Sequence, residues 1–197
     1  MARRWTSMVL AAAALAVGTT AAQAQYNDDT EAGGVRLLIG GGSTLALGDF
    51  GDAFNNGPHG ILGIAFQPRG FPLGIRIDGM FHRISGDEDA LGFDDVNTQV
   101  INGTANLVYS FSTSTETAIR PYLIGGGGFY NLKAVGDDVP DGLESDTELG
   151  VNAGAGFDYR AGENIGIFLE GRFHLIFTED DNTNVLPISL GVRIGRS

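Results

Sequence analysis

The sequence predicts an all-β fold, an eight-stranded antiparallel up-and-down transmembrane β-barrel that follows an N-terminal signal peptide. Three observations support this prediction. Apolar and polar residues alternate with period two in eight segments, long and short connections alternate between these segments, and the aromatic residues gather near the segment ends. Period two is typical of a β-strand, which presents alternate side chains to opposite faces.

The N-terminus has the order of a secretory signal peptide. Two arginines at positions 3–4 precede an apolar stretch over about 8–17, and the small-residue site Ala-Gln-Ala follows at 22–24. The apolar stretch is too short to span a bilayer as a helix, which takes about 20 residues. We therefore expect export and cleavage after Ala24. The expected parts are a signal peptide (1–24), a short N-terminal segment (25–34) and the barrel (35–197).

Eight candidate strands follow. The stretch TELGVNAGAGFDYR at 147–160 shows the pattern most clearly, because one face is uncharged and largely apolar while the other carries glycine, asparagine and charged residues. The first two strands are weaker, since glycine and mixed residues blur their faces. The expected strands lie near 35–46, 59–67, 72–84, 98–111, 117–132, 146–160, 164–178 and 186–195.

The connections between these strands predict a meander. The long connections are 48–58, 85–97 and 133–145, the short ones are 68–71, 112–116 and 161–163, and 179–185 is intermediate. This alternation puts the long connections at one end of an up-and-down sheet. An eight-stranded sheet of this kind can close into a barrel and so remove its edges.

The segregation of the two faces predicts that the apolar face lies outside. Only helices and closed barrels satisfy all backbone groups in lipid. A membrane-spanning strand needs about 9–11 residues, with apolar side chains facing lipid and polar ones facing the lumen. The candidate strands have this length and this segregation, so we expect outer-membrane lipid around the barrel.

The outward aromatic residues support the same interpretation. With the short turns in the periplasm, as in such barrels, they form two girdles. The periplasmic girdle contains Phe66, Tyr109, Phe111, Phe157 and Tyr159, and the outer girdle contains Phe81, Phe129, Phe173 and Phe177. A soluble barrel with an apolar interior is the alternative, but it gives no reason for this sorting.

A family resemblance rests on this topology and on RPYLIGGGGFY at 120–130, a Pro-Tyr strand with a glycine run. Nearly all of the mature chain resembles the small eight-stranded outer-membrane barrels of the OmpA-transmembrane, OmpX and opacity-protein type. The resemblance implies the outer membrane of a Gram-negative-type cell. This chain departs from the family at its C-terminus, where Ile194 stands in place of the aromatic residue that the assembly machinery reads.

Polar residues on the inward faces predict a network inside the barrel. An eight-stranded barrel is only wide enough for its own side chains, and buried charges must be paired. We expect an Arg–carboxylate network that plugs the lumen, with a charge-lined selective pore as the alternative. The inward polar residues are Arg36, Arg76, Asp78, His82, Arg120, Glu148, Asp158, Glu170, Arg172, His174 and Arg193.

Catalytic chemistry is a weaker interpretation of the same face. His82 and His174 could be combined with Asp78, Glu170 or Ser189 into a hydrolase constellation. That chemistry needs a nucleophile beside the base, and the serines have no matching spacing. The glycine-rich stretches lack the lysine of a phosphate-binding loop. We expect no catalytic residue, no metal site and no cofactor.

The charge distribution limits the possible partners. The formal net charge is −12, which argues against nucleic acid. No loop has the calcium-binding pattern, but weak binding of divalent cations at the acidic loops is a hypothesis. The sequence does not identify a surface partner, and we expect a monomer. The acidic loop residues are Asp87, Glu88, Asp89, Asp94, Asp95, Asp137, Asp138, Asp141, Glu144, Glu179, Asp180 and Asp181.

Three functions are compatible with these observations. We expect a non-catalytic outer-membrane barrel at the cell surface with a structural or surface-interaction role, such as membrane integrity or adhesion. The alternative is a narrow channel or lateral path for a small or apolar solute. A more distant alternative is a lipid-modifying outer-membrane enzyme.

Overall fold

The computed structural model describes residues 34–68, 71–86, 97–111, 118–135, 145–178 and 182–195. These residues form eight strands, each of which overlaps its predicted segment. The number and order of the predicted strands are therefore confirmed. The strands are β1 (Gly34–Leu47), β2 (Gly57–Gln67), β3 (Leu73–Ser85), β4 (Asn97–Ser110), β5 (Ile119–Val135), β6 (Asp146–Arg160), β7 (Ile165–Phe177) and β8 (Thr183–Ile194).

The eight strands close into a barrel in sequence order. Each strand pairs antiparallel with the next, and β8 returns to pair antiparallel with β1, where Gly40 lies opposite Gly191. Closure gives every strand two hydrogen-bonded neighbours, so the sheet has no open edge. The predicted closed antiparallel meander is confirmed.

The connections sort to the two ends of the barrel. At the end where β1 begins, three connections join successive strands: 68–72, 111–118 and 161–164. We call this the short-turn end and the opposite one the long-loop end. At the long-loop end, the connection between β7 and β8 is shorter than predicted, because β8 begins at Thr183 rather than near position 186.

A short helix that the sequence analysis did not predict lies in the first long connection. This helix, α1, spans Asp49–Ala53. The rings of Phe50 and Phe54 stack with their centroids 4.5 Å apart. Both rings pack against an apolar cluster inside the barrel at the long-loop end, which we call the outer cluster. Its buried members are Ile84, Val100, Tyr130, Ile176 and Val185.

The two faces of the sheet have the opposite polarity to those of a water-soluble barrel. In β7, Ile165, Ile167 and Leu169 are exposed, while the charged residues Glu170 and Arg172 are buried. All nine aromatic residues assigned to the girdles are exposed, from 41% for Phe111 to 59% for Phe129. A continuous exposed apolar surface marks contact with another apolar phase, and this arrangement is that of a lipid-facing barrel.

A second apolar cluster fills part of the lumen, with Leu38, Ile61, Met80 and Phe168 buried together. The Phe168 ring lies against the backbone of the neighbouring strand, because Gly191 has no side chain. A Cβ atom at position 191 would lie 2.5 Å from this ring.

Among the described residues, no helix is long and apolar enough to cross a membrane.

Candidate functional site in the barrel lumen

Two arginines and two carboxylates form an ion cluster in the lumen, which we call the quartet. Arg76 and Asp78 belong to β3, and Glu170 and Arg172 belong to β7. These strands are four positions apart in a closed ring of eight, so they stand on opposite sides of the barrel. The quartet therefore spans the lumen.

Each arginine of the quartet contacts both carboxylates. Arg76 reaches Asp78 Oδ2 with its Nε at 2.9 Å and Glu170 Oε1 with its Nη2 at 2.8 Å. Arg172 reaches Asp78 Oδ2 with its Nη1 at 3.0 Å and Glu170 Oε1 with its Nη2 at 2.5 Å. All four side chains are at most 3% exposed. The charges balance, so none of these buried ions lacks a counter-charge.

Neutral donors add hydrogen bonds to the quartet, although Asp78 Oδ1 has no partner among the described residues. Tyr122 donates its hydroxyl hydrogen to Glu170 Oε2 at 2.9 Å, and the Asn106 amide donates to Asp78 Oδ2 at 3.0 Å. Tyr122 reaches the quartet because Gly156 lies opposite it on β6. A Cβ atom at Gly156 would lie 2.5 Å from the Tyr122 hydroxyl oxygen. The glycine on the inward face thus makes room for the tyrosine.

A chain of polar side chains runs from Ser189 to His82 on the long-loop side of the lumen. Ser189 Oγ lies 2.8 Å from His59 Nε2, and His59 Nδ1 lies 3.1 Å from Thr44 Oγ1. Thr44 Oγ1 lies 2.7 Å from His82 Nδ1. His174 is bound separately, with its Nδ1 2.8 Å from the Tyr130 hydroxyl.

His59 is a lumen residue that the sequence analysis missed. It lies in GPHGILG, where glycines blur the two faces of β2. His59 lies opposite the inward-facing His82 in the β2–β3 pair, which would have assigned it to the lumen. That register, however, is a property of the folded sheet. The structure therefore brings Ser189 beside a histidine, which spacing in the sequence did not reveal.

This Ser–His pair lacks the features of a hydrolase site. The second ring nitrogen of His59 contacts the Thr44 hydroxyl, whereas a catalytic triad places a carboxylate there. Ser189 is buried, with 2% of its surface exposed. Among the residues that the structure describes, no group of three or more His, Cys, Asp or Glu side chains could hold a metal ion.

The remaining predicted lumen residues lie outside the quartet. Arg193 and Asp158 form an ion pair near the short-turn end. Arg36 donates from Nη2 to Gln67 Oε1 at 2.7 Å. Arg120 and Glu148 are half-buried. Within the described ranges, neither of these two residues nor Arg36 forms an ion pair, so the expected Arg–carboxylate network does not include all of its predicted members.

The acidic loop residues named above lie outside the described residues, as does the proposed signal peptide. The weak cation binding proposed for these loops remains a prediction.

The fold and the inverted polarity define an outer-membrane β-barrel. The chain belongs to the outer membrane protein beta-barrel domain family, whose model matches residues 10–193. No curated protein matches the chain in sequence.

Solved structures with the same fold include three bacterial barrels. Neisserial surface protein A is 16% identical, with a TM-score of 0.62 over 82% of this chain and 96% of that one. Ail, the attachment invasion locus protein of Yersinia pestis, is 16% identical, with a TM-score of 0.55 over 83% and 99%. The N-terminal barrel of Pseudomonas aeruginosa OprF is 15% identical, with a TM-score of 0.51 over 84% and 99%. At these identities the likeness shows the fold alone.

Proposed function

We propose that this protein is a non-catalytic outer-membrane barrel with a sealed lumen and a structural or surface-interaction role. The observation that carries the proposal is the quartet, which joins β3 to β7 across the barrel. Solute passing through the lumen would have to break buried, charge-assisted contacts. Each broken pair would leave an uncompensated charge, at a cost of about 3–5 kcal/mol.

The outer cluster supports the same proposal. It closes the long-loop end of the lumen with apolar side chains, and Phe50 and Phe54 pack on it. An ion would lose most of its hydration among these mainly apolar side chains. The lumen thus has two successive barriers of different chemistry, one charged and one apolar.

A role at the cell surface follows from what remains exposed. The long loops would face outward, and the sequence places most of the acidic residues there. Ail has been crystallised with the heparin analogue sucrose octasulfate, a polyanion. The acidic loops of this chain would repel such a ligand, so we propose a cationic partner or an anionic one bridged by divalent cations.

We also propose the orientation and route to the membrane. Residues 1–24 act as a cleaved signal peptide, and the short-turn end faces the periplasm. This orientation agrees with the general arrangement of outer-membrane barrels, which have short periplasmic turns and longer outer loops.

Conductance tests the sealed lumen. The mature chain is inserted into planar bilayers, and insertion is verified by the heat-dependent shift of the folded band on a gel. We expect no steady single-channel steps. Regular steps with ion selectivity would contradict the sealed lumen and favour the narrow-channel alternative.

A charge variant tests the surface role. The acidic residues of 85–97 are replaced by Asn or Gln, and adhesion of intact cells to a cationic surface is measured. We expect the variant to adhere less than the wild type at low salt. At high salt the difference between the two should disappear, because exposed charges are screened. The matched control is Glu163→Gln, an exposed acid at the short-turn end. Equal adhesion by the loop variant and the wild type would count against the surface role.

A further inference from the structure

A cavity opens into the lumen at the short-turn end. Its volume is about 40 Å³, and its lining includes Arg36, Arg120, Arg193 and Asp158. We call it the arginine mouth. Arg76 also lines it, but that guanidinium is held by the two carboxylates of the quartet.

The arginine mouth carries more positive charge than the described residues neutralise. Among the described lining residues, Asp158 is the one carboxylate, and it pairs with Arg193. Arg36 bonds the neutral amide oxygen of Gln67. Arg120 forms no ion pair with any described residue, and it lines the same cavity as Arg36 and Arg193. Among the described residues, Arg36 and Arg120 form no ion pair, although Asp158 lies opposite Arg120 in the β5–β6 register.

One of these guanidinium groups also has an unused donor. Arg36 is 5% exposed, and its buried Nε has no hydrogen-bond partner in the part of the chain that the structure describes. A buried donor without a partner is destabilising, and more so when the group is charged. An anion in the cavity would supply both the missing acceptor and the missing charge.

We propose that the arginine mouth binds a phosphate group from the periplasmic side. A guanidinium presents a planar fork of donors that matches the oxygens of phosphate in two-pronged contacts. The two unneutralised charges of Arg36 and Arg120 suit a phosphate monoester, which carries about −1.5 to −2 charges at neutral pH. Leu38 and Phe168 line the inner part of the cavity.

The phosphate group could belong to a lipid headgroup of the periplasmic leaflet or to a soluble periplasmic compound. The proposal depends on the short-turn end facing the periplasm, but it does not depend on the lumen being sealed. A conducting barrel could still bind phosphate in this way, so the two proposals fail separately.

Calorimetry with inorganic phosphate tests the site. The mature chain is folded in a maltoside detergent, which contains no phosphate, and titrated at constant ionic strength. We expect saturable binding that weakens at least about tenfold in Arg120→Gln, because hydrogen bonds to a charged group contribute about 1.5–3 kcal/mol. Arg120 is half-buried and lies outside the quartet, so its replacement should disturb folding less than that of the buried Arg36. The matched control, Arg160→Gln, changes an exposed arginine at the same end that does not line the cavity, and it should bind as the wild type does.

A second titration distinguishes the two sources of phosphate. Short-chain phosphatidic acid is added to the same micelles before inorganic phosphate. Competition would identify a lipid headgroup as an occupant, whereas undiminished phosphate binding would indicate the soluble compound. The proposal is overturned if wild-type protein shows no saturable binding at tens of millimolar phosphate. It is equally overturned if Arg120→Gln binds as wild type does, or if both variants weaken equally.

Discussion

Replacing Arg172 by alanine should strongly destabilise the barrel. The substitution removes the contacts of Nη1 with Asp78 and of Nε and Nη2 with Glu170. Two carboxylates then share the single guanidinium of Arg76, and the buried cluster carries one surplus negative charge. Loss of one partner from a buried pair costs about 3–5 kcal/mol. The folding equilibrium constant should therefore fall by about two to four orders of magnitude.

The assay is urea unfolding of the mature chain in lipid vesicles. The single tryptophan, Trp5, lies in the predicted signal peptide, so tryptophan fluorescence would not report on the mature protein. Circular dichroism and the heat-dependent gel shift are suitable instead. Arg160→Ala, at an exposed site, is the control and should stay within about 0.5 kcal/mol of wild type.

A compensating change makes this prediction specific to charge. Adding Glu170→Gln to Arg172→Ala removes the surplus negative charge, so the double variant should recover a substantial part of the lost free energy of unfolding. A single variant that unfolds at the wild-type urea midpoint would refute the assigned role of the quartet. So would a double variant that is no more stable than the single one, because the loss would then reflect packing rather than charge.

Three further predictions follow from other parts of the molecule. Gly156→Ala should lower the free energy of unfolding by about 1–3 kcal/mol, because its Cβ would displace Tyr122. Gly103→Ala, where a Cβ meets no atom within 4 Å, is the control in the same urea titration, and equal effects would be inconsistent with this reasoning. Millimolar calcium should slow proteolysis of 85–97 and 133–145 in lipid, since carboxylate oxygens bind this ion; equal cleavage at matched ionic strength would leave only a solvated acidic surface. In cell fractionation, the mature chain should appear in the outer membrane as a heat-modifiable band, and its recovery as a soluble periplasmic protein would disprove this location.

The faces of the strands could be predicted because period two is a local property. In β6 the inward residues are polar or glycine and the outward residues are largely apolar. Odd or even position in the strand (its parity) is therefore enough to assign each residue to the lumen or the lipid face. Where the alternation fails, the prediction fails as well, and the start of β8 was predicted three residues late. Thr183 and Val185 point inward while Asn184 is half-buried on the outward face, so the polarity no longer alternates near this end of the barrel.

Parity also identified lumen residues without showing how deep they lie. Arg120 and Glu148 have the inward parity of their strands, yet both are half-buried and stand apart from the quartet. Their positions near strand ends leave them partly exposed. Arg172, near the middle of β7, is 1% exposed. Depth depends on the tilt and stagger of the whole sheet, which no single strand reveals.

The sequence by itself determined the number of strands, their antiparallel order and their lipid-facing sides, because alternation and connection length are read within one strand or between two neighbours. Only the tertiary structure decided which lumen charges meet. Arg172 contacts Asp78, which is 94 residues away in the chain, and His59 contacts Ser189, which is 130 residues away. Which side chains meet across the lumen depends on the total stagger of the strands, which accumulates from one strand pair to the next around the barrel. Closure of the ring fixes this total stagger.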